Sequence, residues 1–391
     1  MHTDSNHATP RPHDLSRAQD CAMKIAVVHE WLVTYAGSER VCEQMLQLYP
    51  KADLFSLVDF LPEDLRFFIQ HRPVTTSFLQ HLPFANPRFR AYLPLMPLAI
   101  EQFDLSPYDV ILSSHHAVAK GVITRADQLH ISYVHTPIRY AWEMQQQYFQ
   151  EARLRGPKAA IAQGILHYLR LWDVACANRV DHFIANSRFV ARRIWKTYRR
   201  PARVIYPPVA VDQFSPEEKR EDFYFTLSRF VPYKRVDLVV EAFTQLGLPL
   251  VVIGDGSEFR RVAALAGPTV RLLGRQPDDV VRDHMQRCKA FVYPAEEDFG
   301  IAMVEAQAAG APVIGYGRGG AAETVVPGKT GILMPEQTVA AIVKAVRSLE
   351  AGDFHFCPDD SRQNAERFTP DRFRAELAQF VDQQWAKFQR G

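Results

Sequence analysis

Two glutamates eight residues apart, Glu297 and Glu305, bracket the run Glu-Asp-Phe-Gly-Ile-Ala-Met-Val-Glu. The first lies where the apolar segment 290–294 runs out into a loop. Phe299, Gly300 and Ile301 then open a helical stretch, which places Glu305 about one turn inside it. A helix start presents unpaired N–H groups and a partial positive charge, and glycine lets a ligand approach the backbone, so this segment suits an anionic or hydroxyl-rich guest. Carboxylates on either side of such a start can accept hydrogen bonds from sugar hydroxyls at two points along one ligand. The same spacing also arises by chance, from one solvated glutamate and one at a helix start.

Cations come next. Ser228-Arg229-Phe-Val-Pro-Tyr-Lys234-Arg235 follows an apolar strand and precedes a helix. A departing diphosphate gains negative charge as its glycosidic bond breaks, so fixed cations there favour the transition state over the ground state. Arg235 fits a solvated helix residue equally well. His135 ends the strand-like segment 129–135, where a histidine either reaches across a cleft or caps its own strand. His115-His116 also follow a strand; two histidines without further ligands make no metal site, and a lining role in an acceptor pocket is the alternative. Tyr35-Ala36-Gly37-Ser38 is a glycine loop between the first strand and first helix. Gly254 and Gly256 read as tight turns in the core. No Asp-x-Asp motif sits in a strand-end loop, so a bound diphosphate must be balanced by Arg, Lys and helix dipoles, and metal independence is expected.

The elements that must position these groups alternate. Apolar runs 24–29, 52–58, 108–114, 129–135 and 181–187 are strand candidates, with helical spacing over 38–49, 157–179 and 188–199. The Pro-rich segment 205–216 breaks the pattern and reads as a linker. Alternation restarts with strands 223–228, 249–254, 270–274, 290–294 and 312–316, and helices 235–246, 257–266, 278–287, 300–310 and 336–350. An amphipathic helix, 371–385, comes last. This is α/β organisation in two doubly wound domains, over 23–204 and 217–370, and such sheets bind ligands beyond the carboxyl ends of their strands. Residues 1–22 read as a disordered leader, polar and without the apolar stretch of a secretory signal.

Bulk properties narrow the class. The chain has 391 residues, ample for two cores, and a formal net charge of +2, too small to argue for nucleic acid as partner. Five scattered cysteines form no C-x-x-C pair, which fits a reducing cytoplasm. No apolar stretch is long enough to cross a membrane. The cationic stretch 191–203 and the mixed aromatic, proline and arginine stretch 72–100 could dock an anionic membrane or a lipid-diphosphate, or be a solvated helix face and an irregular insertion.

The run 296–325, EEDFGIAMVEAQAAGAPVIGYGRGGAAETV, resembles the hallmark of the retaining glycosyltransferase family four, of GT-B fold, and the likeness extends over roughly 23–385. The resemblance implies two Rossmann-like domains facing across a cleft, with the C-terminal segment 371–391 crossing back to the first. It implies that Glu297 and His135 hold the donor sugar. Arg229 and Lys234 then stabilise the diphosphate, and Glu305 takes the ribose. Phe299, Gly300 and Ile301 supply backbone amides, and Gly37 faces the phosphates. The loop with Gln276 holds the base. Many relatives carry two glycines where this chain has Ala36 and Gly37. YVHTPIRYAWE, 133–143, is similar to bacterial surface-polysaccharide mannosyltransferases, such as those of O-antigen or exopolysaccharide. This implies GDP-mannose as donor substrate, no cofactor, a lipid-diphosphate-linked saccharide as acceptor, and a site at the inner face of the cytoplasmic membrane. A UDP-sugar donor, or a non-catalytic nucleotide-sugar-binding subunit, is the alternative.

Overall fold

The computed structural model describes residues 23–151, 155–217 and 220–390. The leader proposed for 1–22 lies outside the described residues. Seven parallel strands form the first sheet: β1 Ile25–His29, β2 Asp53–Ser56, β3 Val74–Thr76, β4 Val110–His115, β5 Leu129–Val134, β6 His182–Ala185 and β7 Ala202–Val204, in the order β3-β2-β1-β4-β5-β6-β7. Six more form the second: β8 Tyr224–Leu227, β9 Leu250–Ile253, β10 Val270–Leu272, β11 Ala290–Tyr293, β12 Val313–Tyr316 and β13 Gly331–Met334, in the order β10-β9-β8-β11-β12-β13.

Every pairing is parallel, so the connections must cross over, and helices cover both faces. The central strands are buried along their whole length, which is why they read as unbroken apolar runs. Three strands carry no such run. β3, β7 and β13 lie at sheet edges and are short or partly exposed, so burial imposes no continuous apolar pattern on them. Stretch 72–100 resolves into β3, short 3-10 turns and the helix Met96–Glu101, whose mixed periods cancel in the sequence.

Each sheet reverses its order once, between β1 and β4 and between β8 and β11, and these switch points face one another. The Pro-rich segment connects them. Ile205 still bonds the first sheet through Ala185 O at 3.0 Å, while Val209 N–H donates to Phe368 O at 2.8 Å and Val211 is buried in the second core. The last helix, Pro370–Phe388, starts from Thr369, whose hydroxyl accepts from Arg372 N–H at 3.4 Å. Phe373, Leu377 and Val381, four apart on one face, are buried in the core of the first sheet. The C-terminal helix therefore belongs to the first domain by packing.

Candidate active site between the two sheets

A cavity of about 410 Å³ opens between the carboxyl ends of the sheets. Gly37 and His135 line it from the first domain; Lys234, Glu297, Gly300 and Ile301 line it from the second. A second hollow of about 220 Å³ holds Glu305 and Gln276, together with Arg40, Arg275, Asp278 and Arg282. The helix Ile301–Ala308 runs from one to the other, with Ile301 in the larger and Glu305 in the smaller.

Gly300 has φ 87°, a left-handed conformation that glycine adopts without a Cβ penalty, and it turns the chain from β11 into that helix. The Phe299 ring packs against Tyr206 and Phe368 in the second core. Gly37 is needed for proximity: a Cβ there would stand 2.9 Å from Ile301 Cδ1 of the facing domain. Ala36, where many relatives place a second glycine, is extended, with φ −141°, and costs nothing.

Glu297 forms an ion pair with Lys234 and accepts from Tyr293 OH at 2.8 Å; Lys234 Nζ also lies 3.2 Å from that hydroxyl. Burial alone would push the Glu297 carboxyl up, but Lys234 beside it outweighs this and holds it below the ordinary range. Lys234 is raised, because the attraction of Glu297 exceeds the desolvation that would lower it. The site thus holds a fixed charge pair in place of two free ions.

His135 ends β5 with its Nε2 at 2.9 Å from Ser114 Oγ, and Ser114 Oγ lies 3.1 Å from His29 Nδ1. His29 Nε2 is 3.5 Å from Glu39 Oε1. Glu39, held below its usual range by His29 and local N–H and O–H donors despite burial, can only accept. If His29 carries a single proton, on Nε2 toward Glu39, then Ser114 O–H points at His29 Nδ1 and His135 Nε2–H at Ser114. This leaves the lone pair of His135 on Nδ1. Burial first, then the neighbouring His116 and His29, keep His135 well below its ordinary pKa, so it stays neutral.

Of His115 and His116, for which a pocket-lining role was one reading of the sequence, His116 lines the cavity. Its ring stands edge-on to Trp31 at 4.6 Å between centroids, and its Nδ1 is buried with no partner among the described residues. Glu30 fixes the turn that carries it, accepting N–H bonds from His116, Ala117, Val118 and Ala119 at 2.7–3.0 Å. Asp298, inside the hallmark run, pairs across the cleft with Arg193 and with Arg139 at 3.6 Å. Sequence reasoning missed Arg40: it sits one helical turn beyond Gly37 and pairs with Glu305 at 2.6 Å. A lone arginine on a helix carries no sequence signal of its partner 265 residues away.

Arg229 is the exception among the expected groups. Its guanidinium is exposed, donates to Tyr233 OH at 3.0 Å, and lines neither hollow. The 3-10 turn Pro232–Lys234 sends Lys234 inward to the buried Glu297 carboxylate, and Arg229, which has no acid partner there, stays in water. In this conformation the cation pair expected around one diphosphate is a single cation. Gln276 lines the smaller hollow, with its amide donating to Leu273 O at 2.5 Å.

Residues 36–213 match the profile of Glycosyltransferase Family 4, and residues 210–368 that of Glycosyl transferases group 1. A glycosyltransferase of Methanocaldococcus jannaschii is 29% identical over 185 residues, covering 46% of this chain and 52% of that protein. A GDP-mannose-dependent alpha-(1-6)-phosphatidylinositol monomannoside mannosyltransferase of Mycolicibacterium smegmatis is 30% identical over 206 residues, covering 44% and 54%. The chain spans about half the length of these two curated relatives. Sucrose-phosphate synthase from Thermosynechococcus elongatus superposes with a TM-score of 0.70 at 18% identity, covering 94% of this chain and 100% of that one. Anabaena HepE in complex with UDP and glucose gives 0.67 at 17%, covering 92% and 100%. At such identities the structural likeness concerns the fold, two parallel sheets facing across a cleft. With that fold, and with profiles that together run from residue 36 to 368, this chain belongs to glycosyltransferase family four and has the GT-B architecture.

Proposed function

We propose that this protein transfers mannose from GDP-mannose, with retention at the anomeric carbon, to a polyprenyl-diphosphate-linked saccharide in surface-polysaccharide synthesis. One observation carries the transferase reading: His135 and Gly37 from one sheet, and Lys234, Glu297 and the Ile301 helix start from the other, line a single hollow. A subunit that only bound a nucleotide sugar would need no first-domain chemistry there. In this reading Glu297 and the His135 Nδ1 lone pair hold sugar hydroxyls. Lys234 and the helix start stabilise the departing diphosphate. A diphosphate oxygen accepts the incoming hydroxyl's proton on the face from which it leaves.

The base assignment draws on the smaller hollow. Guanine presents two adjacent N–H donor groups beside a carbonyl, and Asp278 with Arg275 or Arg282 offers a matching carboxylate and guanidinium. GDP-mannose is also named for the mycobacterial relatives. Metal independence belongs to the same proposal, since Lys234 and the helix start at Ile301 line the hollow where the diphosphate charge must be balanced. A thermal-shift series with GDP, UDP, ADP and their hexoses tests the donor. Stabilisation by GDP and GDP-mannose above the others is expected; a larger shift with UDP-sugars would move the donor to that class. Turnover of the preferred donor, unaffected by EDTA, tests the transferase.

A further inference from the structure

Among the described residues no helix is long and apolar enough to cross a membrane. The helix Gly156–Cys176 is nevertheless apolar on two sides. Leu166, Leu169 and Cys176 are buried against the first domain. At about 100° per residue, Ile161, Tyr168, Leu171 and Val174 fall on the opposite side. These four are 40–65% exposed, as are Leu98 and Ile123. A helix with one apolar face has found its core; a second calls for another partner.

The six residues come from three chain segments that pack together. Trp172 of the long helix presses on Gly121, where a Cβ would meet its ring at 2.2 Å and Ile100 at 3.4 Å. Its Nε1 donates to Glu101 at 2.8 Å, and Arg179 joins Glu101 to Gly121 O. The Met96–Glu101 helix, the turn at 119–123 and the long helix thus present one surface.

That surface has a charge signature. No Asp or Glu occurs between Asp64 and Glu101, between Asp109 and Asp127, or between Glu151 and Asp173. Asp173 is buried, and Glu101 is taken up by Trp172 and Arg179. Arg88, Arg155 and Lys158, in the same segments, are exposed and make no ion pair among the described residues, whereas Arg90 is stacked over Trp31 and Phe89. Apolar side chains flanked by unpaired cations and free of exposed acids complement an interface of acyl chains and anionic headgroups. A soluble protein partner would satisfy the apolar part without requiring acids to be absent from all three segments.

We propose that this face, centred on Ile161, Tyr168 and Leu171, docks onto an anionic lipid bilayer. It deepens the acceptor part of the function proposed above and rests on that reading for its purpose. The long helix packs through Leu166 and Leu169 on Ile138 and Ala141, in the loop that leaves His135, so docking brings the cleft to the bilayer that would carry a lipid-linked acceptor. The sequence had pointed elsewhere for part of this surface. Of the six cations of 191–203, Arg193 is committed to Glu143 and Asp298 and Arg200 to the carbonyls of Val180 and Asp181, while Arg192, Lys196, Arg199 and Arg203 are exposed beside a single large apolar side chain, Trp195.

Sedimentation of the full chain with vesicles tests the proposal. Binding is expected to equimolar phosphatidylcholine and phosphatidylglycerol, weakened by salt, and not to phosphatidylcholine alone. Ile161→Glu/Leu171→Glu should lower the bound fraction at least about fivefold, and Arg88→Glu/Lys158→Glu should lower it as well. All four positions are exposed, and an unchanged thermal shift with GDP or UDP verifies folding. Trp195→Glu, an exposed aromatic on the helix Arg188–Tyr198, should bind as the parent does. Lack of binding by the parent, equal binding to neutral vesicles, or undiminished binding by the first double variant would overturn the proposal. So would a dimer that only this variant dissolves, which would make a second copy the occupant. Failure of nucleotide binding in the parent would strike the donor assignment and leave the vesicle result readable.

Discussion

Arg40 and Glu305 lie on different domains, and their side chains meet at 2.6 Å across the cleft. The carboxylate assigned to the donor's ribose is therefore already occupied. Three further contacts tie the domains: Asp298 to Arg193, Asp298 to Arg139, and Glu323 to the N–H groups of Arg188 and Phe189 at 2.8 Å, the last at the start of a first-domain helix.

If a ribose must displace Arg40, then Arg40→Ala should tighten nucleoside diphosphate binding severalfold, since a partly exposed ion pair is worth about 1 kcal/mol or less. Titration calorimetry with GDP and UDP measures it. Weaker binding in the variant would show instead that Arg40 itself grips the nucleotide.

Lys234→Ala should cut transfer more than about tenfold, as removal of a charge that acts on the leaving group. It also strands the Glu297 carboxylate in a buried site, and losing one partner of such a pair costs on the order of 3–5 kcal/mol. Lys234→Ala/Glu297→Gln should regain most of that stability and none of the activity. Denaturant titration and initial rates, measured side by side, separate the two effects. A fully active Lys234→Ala would refute the assignment.

Ser114→Ala removes the acceptor that keeps the His135 proton on Nε2. One hydrogen bond of about 1 kcal/mol predicts a fall in kcat of roughly fivefold, with donor KM nearly unchanged. Nitrogen chemical shifts of His135 should move from a single tautomer to a mixture. An unaltered spectrum would leave Ser114 no role in orienting the ring.

Four buried histidines stay neutral in the folded chain. Burial is the first cause in each, taking His116 and His130 down to about 4 and lowering His115 and His135 as well. An unfolded chain takes up these protons near pH 6.5 while the folded one does not, so stability is complete above that value and is lost as pH falls toward 4. The depressed carboxyls of Glu30, Glu39 and Glu297 add a loss of the same sign below their ordinary range. Melting temperature should fall steadily from pH 7 to 4.5. A flat profile would contradict the neutral state of the cluster.

Much of this molecule is written locally. β1, β4, β5, β9, β11 and β12 are apolar because both faces are covered, and helices between them announce a parallel sheet. Glu297, Gly300 and Glu305 fall on one strand-end loop and one helix, so their neighbourhood follows from local geometry alone. The edge strands β3, β7 and β13 escaped notice because an edge need not be apolar.

The sequence by itself determined the two α/β units, the strand ends where chemistry gathers, and the family whose pattern those ends carry. Tertiary structure alone decided which groups pair. Lys234 spends its charge on Glu297 and Arg40 on Glu305, Arg229 faces water, and Ser114 lies between two histidines. It also decided that three acid-free segments share one apolar face. Local spacing fixes which element a side chain rides on. An ion pair or hydrogen bond acts over a few ångströms between atoms whose chain separation can be hundreds of residues, and only the packed fold sets that distance.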